Sequence, residues 1–379
     1  MLLIKLHTLL KSAFRSNEES IHLPDGMTVH FFSLQSDISY AARQINSNIT
    51  ENERKIITES GQIENQKFRY SVVLPSIKKS EDVIFLLHGL NERSWDKYLL
   101  WAWDLAKNSG KAVVMFPIAY HMNRAPQKWS DPREMISIVK QRISNYKDVE
   151  NSSFANIALS LRMEHTPEML PISGIQTYFD IVKLSMIIKS GHHPLFKRNT
   201  NIDFFAYSIG ALLAEILLIA NPASLFSGQR AFLFCGGSTF DKMNPNSKAI
   251  MDSRAVYLLR KYIMSQPNVD NKISIPMQMA PLLPEAWQTF KSMFSLNQNV
   301  EERKSQFEKL GNRIQSIGLT KDTVIPPEGI RKSIGHCQEL DFPFEYTHES
   351  PFPMNGKNND HEVEMAFRSV FDNAVDFLR

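Results

Sequence analysis

A single serine, Ser208, stands at the seam of the stretch IDFFAYSIGALLAEILL, residues 202–218. Apolar, β-favouring residues precede it, and a helix-like apolar run follows without a break. A tight strand-to-helix turn forces its central residue into sparsely allowed backbone geometry and lifts the side chain clear. Residues two positions away must then be small, as Ala206 and Gly210 are. The N-terminus of the next helix offers free N–H groups and positive potential to a developing oxyanion. The pattern A-Y-S-I-G is a nucleophile elbow, G-x-S-x-G, with alanine at the first small position. The competing reading is a helix N-cap serine, common in any α/β protein.

A serine hydroxyl becomes a nucleophile when a base takes its proton and a third group orients that base. In an open parallel sheet such groups gather outside the carboxyl ends of the strands. Asp322, in GLTKDTVIPPEGI, follows an expected strand and is the first candidate for the acid; Asp241, after CGGSTF, competes with it. Among the histidines, His7, His22 and His30 lie in the N-terminal extension, and His192 and His193 in a polar loop. His88 belongs to a glycine turn. His348, in FEYTHES, leaves the end of the last expected strand, whereas His361, in NDHEVE, opens the last expected helix. A loop off a strand end reaches over Ser208 more readily, so His348 is the favoured base and His361 stays open as the alternative. Glu345 or Glu349 would instead make His348 part of a surface ion pair. In LLHGLNERSW the glycine turn leaves backbone N–H groups facing the cleft. That of Leu90, or of Asn91, would join the N–H of Ile209 as an oxyanion hole.

These residues need a scaffold. VIFLLHGL (83–90) is an unbroken apolar run, as expected of a parallel strand buried on both faces. KAVVMFPIAY (111–120), NIDFFAYS (201–208), QRAFLFCGG (229–237), NRIQSIGLT (312–320) and LDFPFEYT (340–347) read as further strands, and KFRYSVVLPS (67–76) as one more. Helices are expected at 91–110 (stopped by Gly110), 132–148, 173–190, after Ser208 and over 361–379. Residues 15–66 are polar and mixed, and SYAARQINSNITENERKIITES reads as helix and loop. Strands alternating with helices specify an α/β fold with a mostly parallel sheet, right-handed crossovers and helices on both faces. The segments 121–200 and 238–310 exceed what a crossover requires and read as helical insertions.

Composition narrows the class. The net charge is +3, and no long Lys/Arg run is present, so nucleic acid is not an expected partner. Cys235 and Cys337 provide neither a disulfide framework nor metal-ligand spacing, so no metal or cofactor is expected. In MLLIKLHTLLKSAF, lysines interrupt a short apolar run, and Leu2, Leu3, Leu6, Leu9, Leu10 and Phe14 fall at helical spacing. An amphipathic helix packed on the body is expected rather than an export signal, with no stable membrane span and a cytoplasmic location.

LLHGL, AYSIGALLAE, GLTKDTVIPP and the late histidine together resemble the α/β-hydrolase superfamily, over about residues 67–379 without the insertions. HMNRAP (121–126) is similar to a segment in an uncharacterised bacterial branch of it. The resemblance implies an eight-stranded, mostly parallel sheet. It also implies Ser208 as nucleophile, Asp322 as acid, a late histidine as base and an acyl-enzyme route. Residues 1–66 fall outside it as an N-terminal extension packing on the core. The segment 238–310 occupies the place of a lid, and its Met and aromatic residues suit an apolar acyl pocket or an ordinary helical core. The expected activity is a serine esterase on a small-molecule or lipid-like ester. A non-catalytic binding protein of the same fold, or an acyltransferase, remains the alternative.

Overall fold

The apolar runs around residues 83–87 and 202–207 become adjacent parallel strands at the centre of a nine-stranded sheet. The structure is a computed structural model and describes residues 3–40, 49–58, 62–75, 79–268, 272–354, 356 and 358–379. In chain order the strands are β1 (Ser20–His22), β2 (Thr28–Gln35), β3 (Ser39–Tyr40), β4 (Lys67–Leu74), β5 (Ser80–Leu87), β6 (Ala112–Phe116), β7 (Phe196–Tyr207), β8 (Ala231–Phe234), β9 (Ile273–Ser274), β10 (Ile314–Leu319) and β11 (Gln338–Leu340). The main sheet runs β1-β2-β4-β6-β5-β7-β8-β10-β11, while β3 and β9 form a separate antiparallel pair. Pairing is antiparallel from β1 to β6 and parallel from β6 to β11.

Both faces of the central strands are covered, which explains the absence of polar alternation. Val83, Phe85 and Leu87 enter one core with Ile202, Phe204 and Ala206. Ile84 and Leu86 enter the other with Phe205 and Tyr207. Burying each such large side chain contributes roughly 1.5–3 kcal/mol. The first face carries α6 (Ile157–His165), α7 (Met169–Lys189), α8 (Ile209–Ala220), α9 (Ser253–Met264) and α10 (Leu283–Ser292). The second carries α1 (Leu3–Ala13), α4 (Asp96–Ser109) and α13 (Asp360–Leu378). The remaining helices are α2 (Glu51–Thr58), α3 (Gln62–Gln66), α5 (Pro132–Asn145), α11 (Val300–Leu310) and α12 (Pro327–Ile334).

Helix α1 buries Leu3, Leu6 and Leu10. Lys11 pairs with Asp96 at the start of α4 at 2.6 Å. Gly110 caps α4 at φ 74°, a backbone conformation costly for other residues. Nine strands stand where eight are expected, the extra one being the short edge strand β1. Two readings change in detail. The stretch LDFPFEYT is not a continuous strand: β11 ends at Leu340. Pro343 has no N–H for a ladder, and Phe342, Phe344 and Tyr346 turn inward instead. The polar N-terminal segment contains a full strand, β2, paired along its length with β4. Within 39–60, residues 51–58 are helical as α2, and residues 41–48, 59 and 60 lie outside the described residues. Among the described residues, no helix is long and apolar enough to cross a membrane.

Glu215 on α8 is buried, and neither carboxyl oxygen has a hydrogen-bond partner. Burial pushes its pKa well above the usual carboxylate range, opposed only by the attraction of Arg303. A carboxyl whose folded pKa exceeds its unfolded value loses stability as pH rises from the unfolded value, about 4.3, through the folded one. The difference in melting temperature between Glu215→Gln and wild type should therefore widen in favour of the variant from about pH 4.5 to about pH 8. Thermal unfolding followed by circular dichroism across that range checks it, and a pH-independent difference would contradict it.

Candidate active site

Ser208 joins β7 to α8 with φ 57° and ψ −125°. A non-glycine residue held there stores roughly 1–3 kcal/mol of strain, so its surroundings must impose the conformation. The Ser208 N–H donates to the Phe234 carbonyl at 3.2 Å, and the Ala211 N–H donates to the Ser208 carbonyl at 3.0 Å. A Cβ on Gly210 would lie 2.7 Å from the Leu87 carbonyl oxygen and 2.8 Å from that of His88. Hence α8 starts against the end of β5. A Cβ on Gly236 would lie 2.4 Å from the Ala211 Cβ and 2.7 Å from the Ser208 carbonyl oxygen. The small residue expected at 206 is fully buried in β7, between β5 and β8.

Ser208, His348 and Asp322 meet, although Ser208 and Asp322 follow the ends of β7 and β10 and His348 lies in the long loop after β11. The Ser208 hydroxyl lies 2.7 Å from His348 Nε2, and His348 Nδ1 lies 2.7 Å from Asp322 Oδ2. A carboxylate only accepts, so Nδ1–H donates to Asp322 and leaves Nε2 free to accept from the serine. Asp322 Oδ1 accepts from the Val324 and Ile325 N–H groups, both at 2.9 Å, which fixes the carboxylate. All three residues are at most 4% exposed. Tyr207 is stacked on the His348 ring, centroids 5.4 Å apart, and its hydroxyl donates to the His348 carbonyl.

The competing residues lie elsewhere. Asp241 accepts from Thr239 Oγ1 (2.7 Å) and the Leu296 N–H (2.9 Å) with Oδ1, and from Ser295 Oγ (3.2 Å) with Oδ2. All three partners lie within residues 238–310, so Asp241 joins the two ends of that segment. His361 is exposed in the first turn of α13. Glu349 takes the Ser247 hydroxyl at 2.5 Å, and Glu345 lies in solvent beside Lys321.

The glycine turn runs over the serine, where a Cβ on Gly89 would lie 3.3 Å from the Ser208 Cβ. The Gly89 N–H donates to the Tyr98 hydroxyl at 3.0 Å, and Tyr98 donates to Glu92 at 2.9 Å. His88 donates from Nδ1 to the Gly89 carbonyl (2.8 Å) and accepts the Ile118 N–H at Nε2 (2.9 Å). Burial, with His121 nearby, draws its pKa well down, so it is a neutral staple between the β5 and β6 ends. Leu90 and Ile209 share the wall of a cavity of about 590 Å3, including its open mouth. Ile118, Leu212 and Leu213 line it further, and Phe240, Ile263, Phe290 and Phe294 of the insertion close over it. Asn91, at φ 61°, sends its amide Nδ2 to the Ala155 and Ala249 carbonyls.

Three supports escaped the sequence reading. Tyr207 carries a visible signal, its position directly before the serine. Tyr98 and Gly236 carry none: the bond from Tyr98 to Gly89 forms only when α4 packs back on the end of β5, and the neighbours of Gly236 are remote in the chain. Among the described residues, no three His, Cys, Asp or Glu side chains are grouped to hold a metal ion.

The order β2-β4-β6-β5-β7-β8-β10-β11, with the strained serine at the end of β7, defines an α/β-hydrolase fold. The chain belongs to a family of unknown function (DUF6051), matched over residues 1–379. No curated protein matches its sequence. Solved structures similar to it include an esterase from Pyrobaculum calidifontis (12% identity, TM-score 0.46, covering 99% of this chain and 90% of that one). Carboxyl esterase 2 from the fungus Tuber melanosporum is similar at 10% identity and TM-score 0.47, over 94% of this chain and 89% of that one. A thermostable esterase from Pseudomonas putida has 11% identity and a TM-score of 0.45, over 99% and 88%. These likenesses are loose, and the fold assignment stands on strand order.

Gly236→Ala should force the elbow apart. Overpacking of this kind costs about 1–3 kcal/mol, so its melting temperature should fall measurably in calorimetry. A variant as stable as wild type would show that the elbow yields there.

Proposed function

We propose that the protein is a serine hydrolase that cleaves a carboxylic ester through an acyl-enzyme. The observation that carries this reading is the unbroken chain of two 2.7 Å hydrogen bonds from Ser208 through His348 to Asp322. The strained elbow and the adjoining apolar cavity support it.

In this reading Ser208 Oγ attacks the ester carbonyl carbon while His348 Nε2 takes the hydroxyl proton. Asp322 holds the Nδ1–H and stabilises the imidazolium. The tetrahedral oxyanion accepts from the N–H groups of Leu90 and Ile209, each such donor contributing about 3 kcal/mol in the transition state. The intermediate collapses, the C–O bond to the alcohol breaks, and His348 returns the proton to the leaving oxygen. A water, deprotonated by His348, attacks the acyl-enzyme; the acyl C–Oγ bond then breaks, His348 returns the proton to Ser208 Oγ, and the acid is released. The 238–310 insertion acts as the cap that keeps the hydrocarbon part of the substrate from water.

Labelling with a fluorophosphonate probe, read by intact mass, tests the assignment. Wild type and His361→Ala should each gain one adduct, and Ser208→Ala and His348→Ala none. With para-nitrophenyl esters, His348→Ala should lose about 10^4-fold or more in kcat, and Asp322→Asn a loss of the order of 10^4-fold. No adduct on folded wild-type protein would refute the proposal in favour of a binding protein. An adduct with turnover only when an alcohol is added would make the enzyme an acyltransferase.

A further inference from the structure

Four arginines are buried among the described residues: Arg124, Arg142, Arg162 and Arg303. Three are fully engaged. Arg124 pairs with Asp180 at 2.7 Å, and Arg142 with Asp252 at 2.5 Å and Glu164 at 2.7 Å. Arg303 donates to the carbonyls of Ser292, Ser295, Gln298 and Leu296. Arg162, on α6, is 5% exposed and makes no ion pair or hydrogen bond with any described residue. Its guanidinium lies between two rings, 4.7 Å from the centroid of Tyr120 and 4.3 Å from that of Trp129. Desolvating a guanidinium without a counter-charge is costly, and ring faces offset only part of the cost.

The flanking groups are unfilled too. Trp129 Nε1 and His121 Nε2 are buried without hydrogen-bond partners, and the buried Tyr120 hydroxyl makes no close hydrogen bond, interacting with the hydroxyl of Tyr40. Buried polar atoms normally have partners, so several orphans around one guanidinium point to a missing ligand. Arg93 adds a second positive charge. Its guanidinium donates to Ser130 Oγ, Asn91 Oδ1 and the Ala155 carbonyl, none of them anionic. Burial and the nearby Arg162 draw Arg93 down to about 10. No carboxylate is among the groups that act on Arg162 or Arg93.

This cluster joins the proposed active site at two points. Tyr120 is followed by His121, which lines the cavity beside Leu90 and Ile209. Arg93 is tied to Asn91, next to Leu90. The loop between them is held in costly geometry, with φ of 64° at Tyr120 and 49° at Met122. Asn65 Oδ1 accepts the Tyr120 N–H at 3.1 Å, and Thr177 Oγ1 the Ala119 N–H at 3.0 Å. Strain in bulky residues at a strand end is a mark of a functional constraint. His121 donates from Nδ1 to the Ala119 carbonyl (2.9 Å), and burial lowers it to about 4, so it is neutral and offers Nε2 as an acceptor.

We propose that the ester cleaved at Ser208 carries an anionic oxygen group, a carboxylate, phosphate or sulfate, and that Arg162 binds it with help from Arg93, Tyr120 and Trp129. The inference rests on the serine hydrolase reading for the reaction, while the anion site stands on its own geometry. Arg162 supplies a planar fork matched to such oxygens, and the phenol and indole supply neutral donors beside it.

The test compares para-nitrophenyl hemiglutarate with para-nitrophenyl pentanoate, esters of similar length with and without a terminal carboxylate. Wild type should favour the anionic ester in kcat/KM. Charge-assisted hydrogen bonds of this kind correspond to about a 10- to 100-fold effect, so the anionic-to-neutral ratio should fall by that factor in Arg162→Met. It should fall less in Arg162→Lys. A wild-type preference for the neutral ester, or an unchanged ratio in Arg162→Met, would overturn the proposal. If Arg162→Met does not fold, Tyr120→Phe and Trp129→Phe, which each remove one donor, must lower the ratio, and an unchanged ratio in both overturns it. Inhibition of wild type by inorganic phosphate, sulfate and glutarate ranks the three anions. Should no ester be turned over, titration calorimetry of the same anions into Ser208→Ala decides. Heat that is lost on adding Arg162→Met supports the anion site without the reaction; no heat from any of the three overturns it.

Discussion

The arrangement depends on one backbone constraint: Ser208 is held at positive φ without the freedom of glycine. Nothing local to the residue favours that state. It persists because the end of β5, the end of β8 and the first turn of α8 approach it from three sides, closely enough that Gly210 and Gly236 leave no room for a methyl group. The same closeness brings the Gly89 turn over both the serine and the Tyr207 ring, which stacks on His348. One strained residue thus fixes the Ser208 hydroxyl, the turn that carries the candidate oxyanion donors and the support of His348. Rigid, doubly covered strands are what make such strain sustainable.

Two buried polar neighbourhoods adjoin the cavity, and they differ in completeness. In the Ser208–His348–Asp322 chain each proton has an acceptor, and Asp322 is held by backbone N–H groups. Such a network is preorganised and needs no rearrangement on binding. Around Arg162 the guanidinium and the Trp129 N–H have no hydrogen-bond acceptor among the described residues. In the proposed reading the first neighbourhood carries the reaction and the second the choice among substrates.

Polar contacts order the 238–310 segment and join it to α5 and to the loop of His348, beside its apolar packing. Asp241 gathers residues 295 and 296 within the insertion, Arg142 of α5 clamps Asp252 at the start of α9, and Ser247 reaches Glu349 beside His348. These ties bring Phe240, Phe290 and Phe294 over the cavity, so the Met and aromatic content noted in the sequence serves both the insertion's own core and the cavity wall.

The amino-acid sequence by itself determined what short-range physics encodes. Unbroken apolar runs marked the doubly buried strands, Gly110 marked a helix end, and the small residues around Ser208 marked the elbow. The order of serine, aspartate and histidine at successive strand ends was legible for the same reason. Strand β2 was not, because one face of it is only partly buried and its pattern is diluted. The tertiary structure alone decided what depends on which distant loops meet: His348 rather than His361 beside Ser208, Asp241 turned to the insertion, Gly236 under the elbow, and Arg162 left without a counter-ion between Tyr120 and Trp129. Periodicity reports the local face of an element, whereas hydrogen-bond partners and desolvation are set by segments far apart in the chain and appear only once the sheet has brought them together.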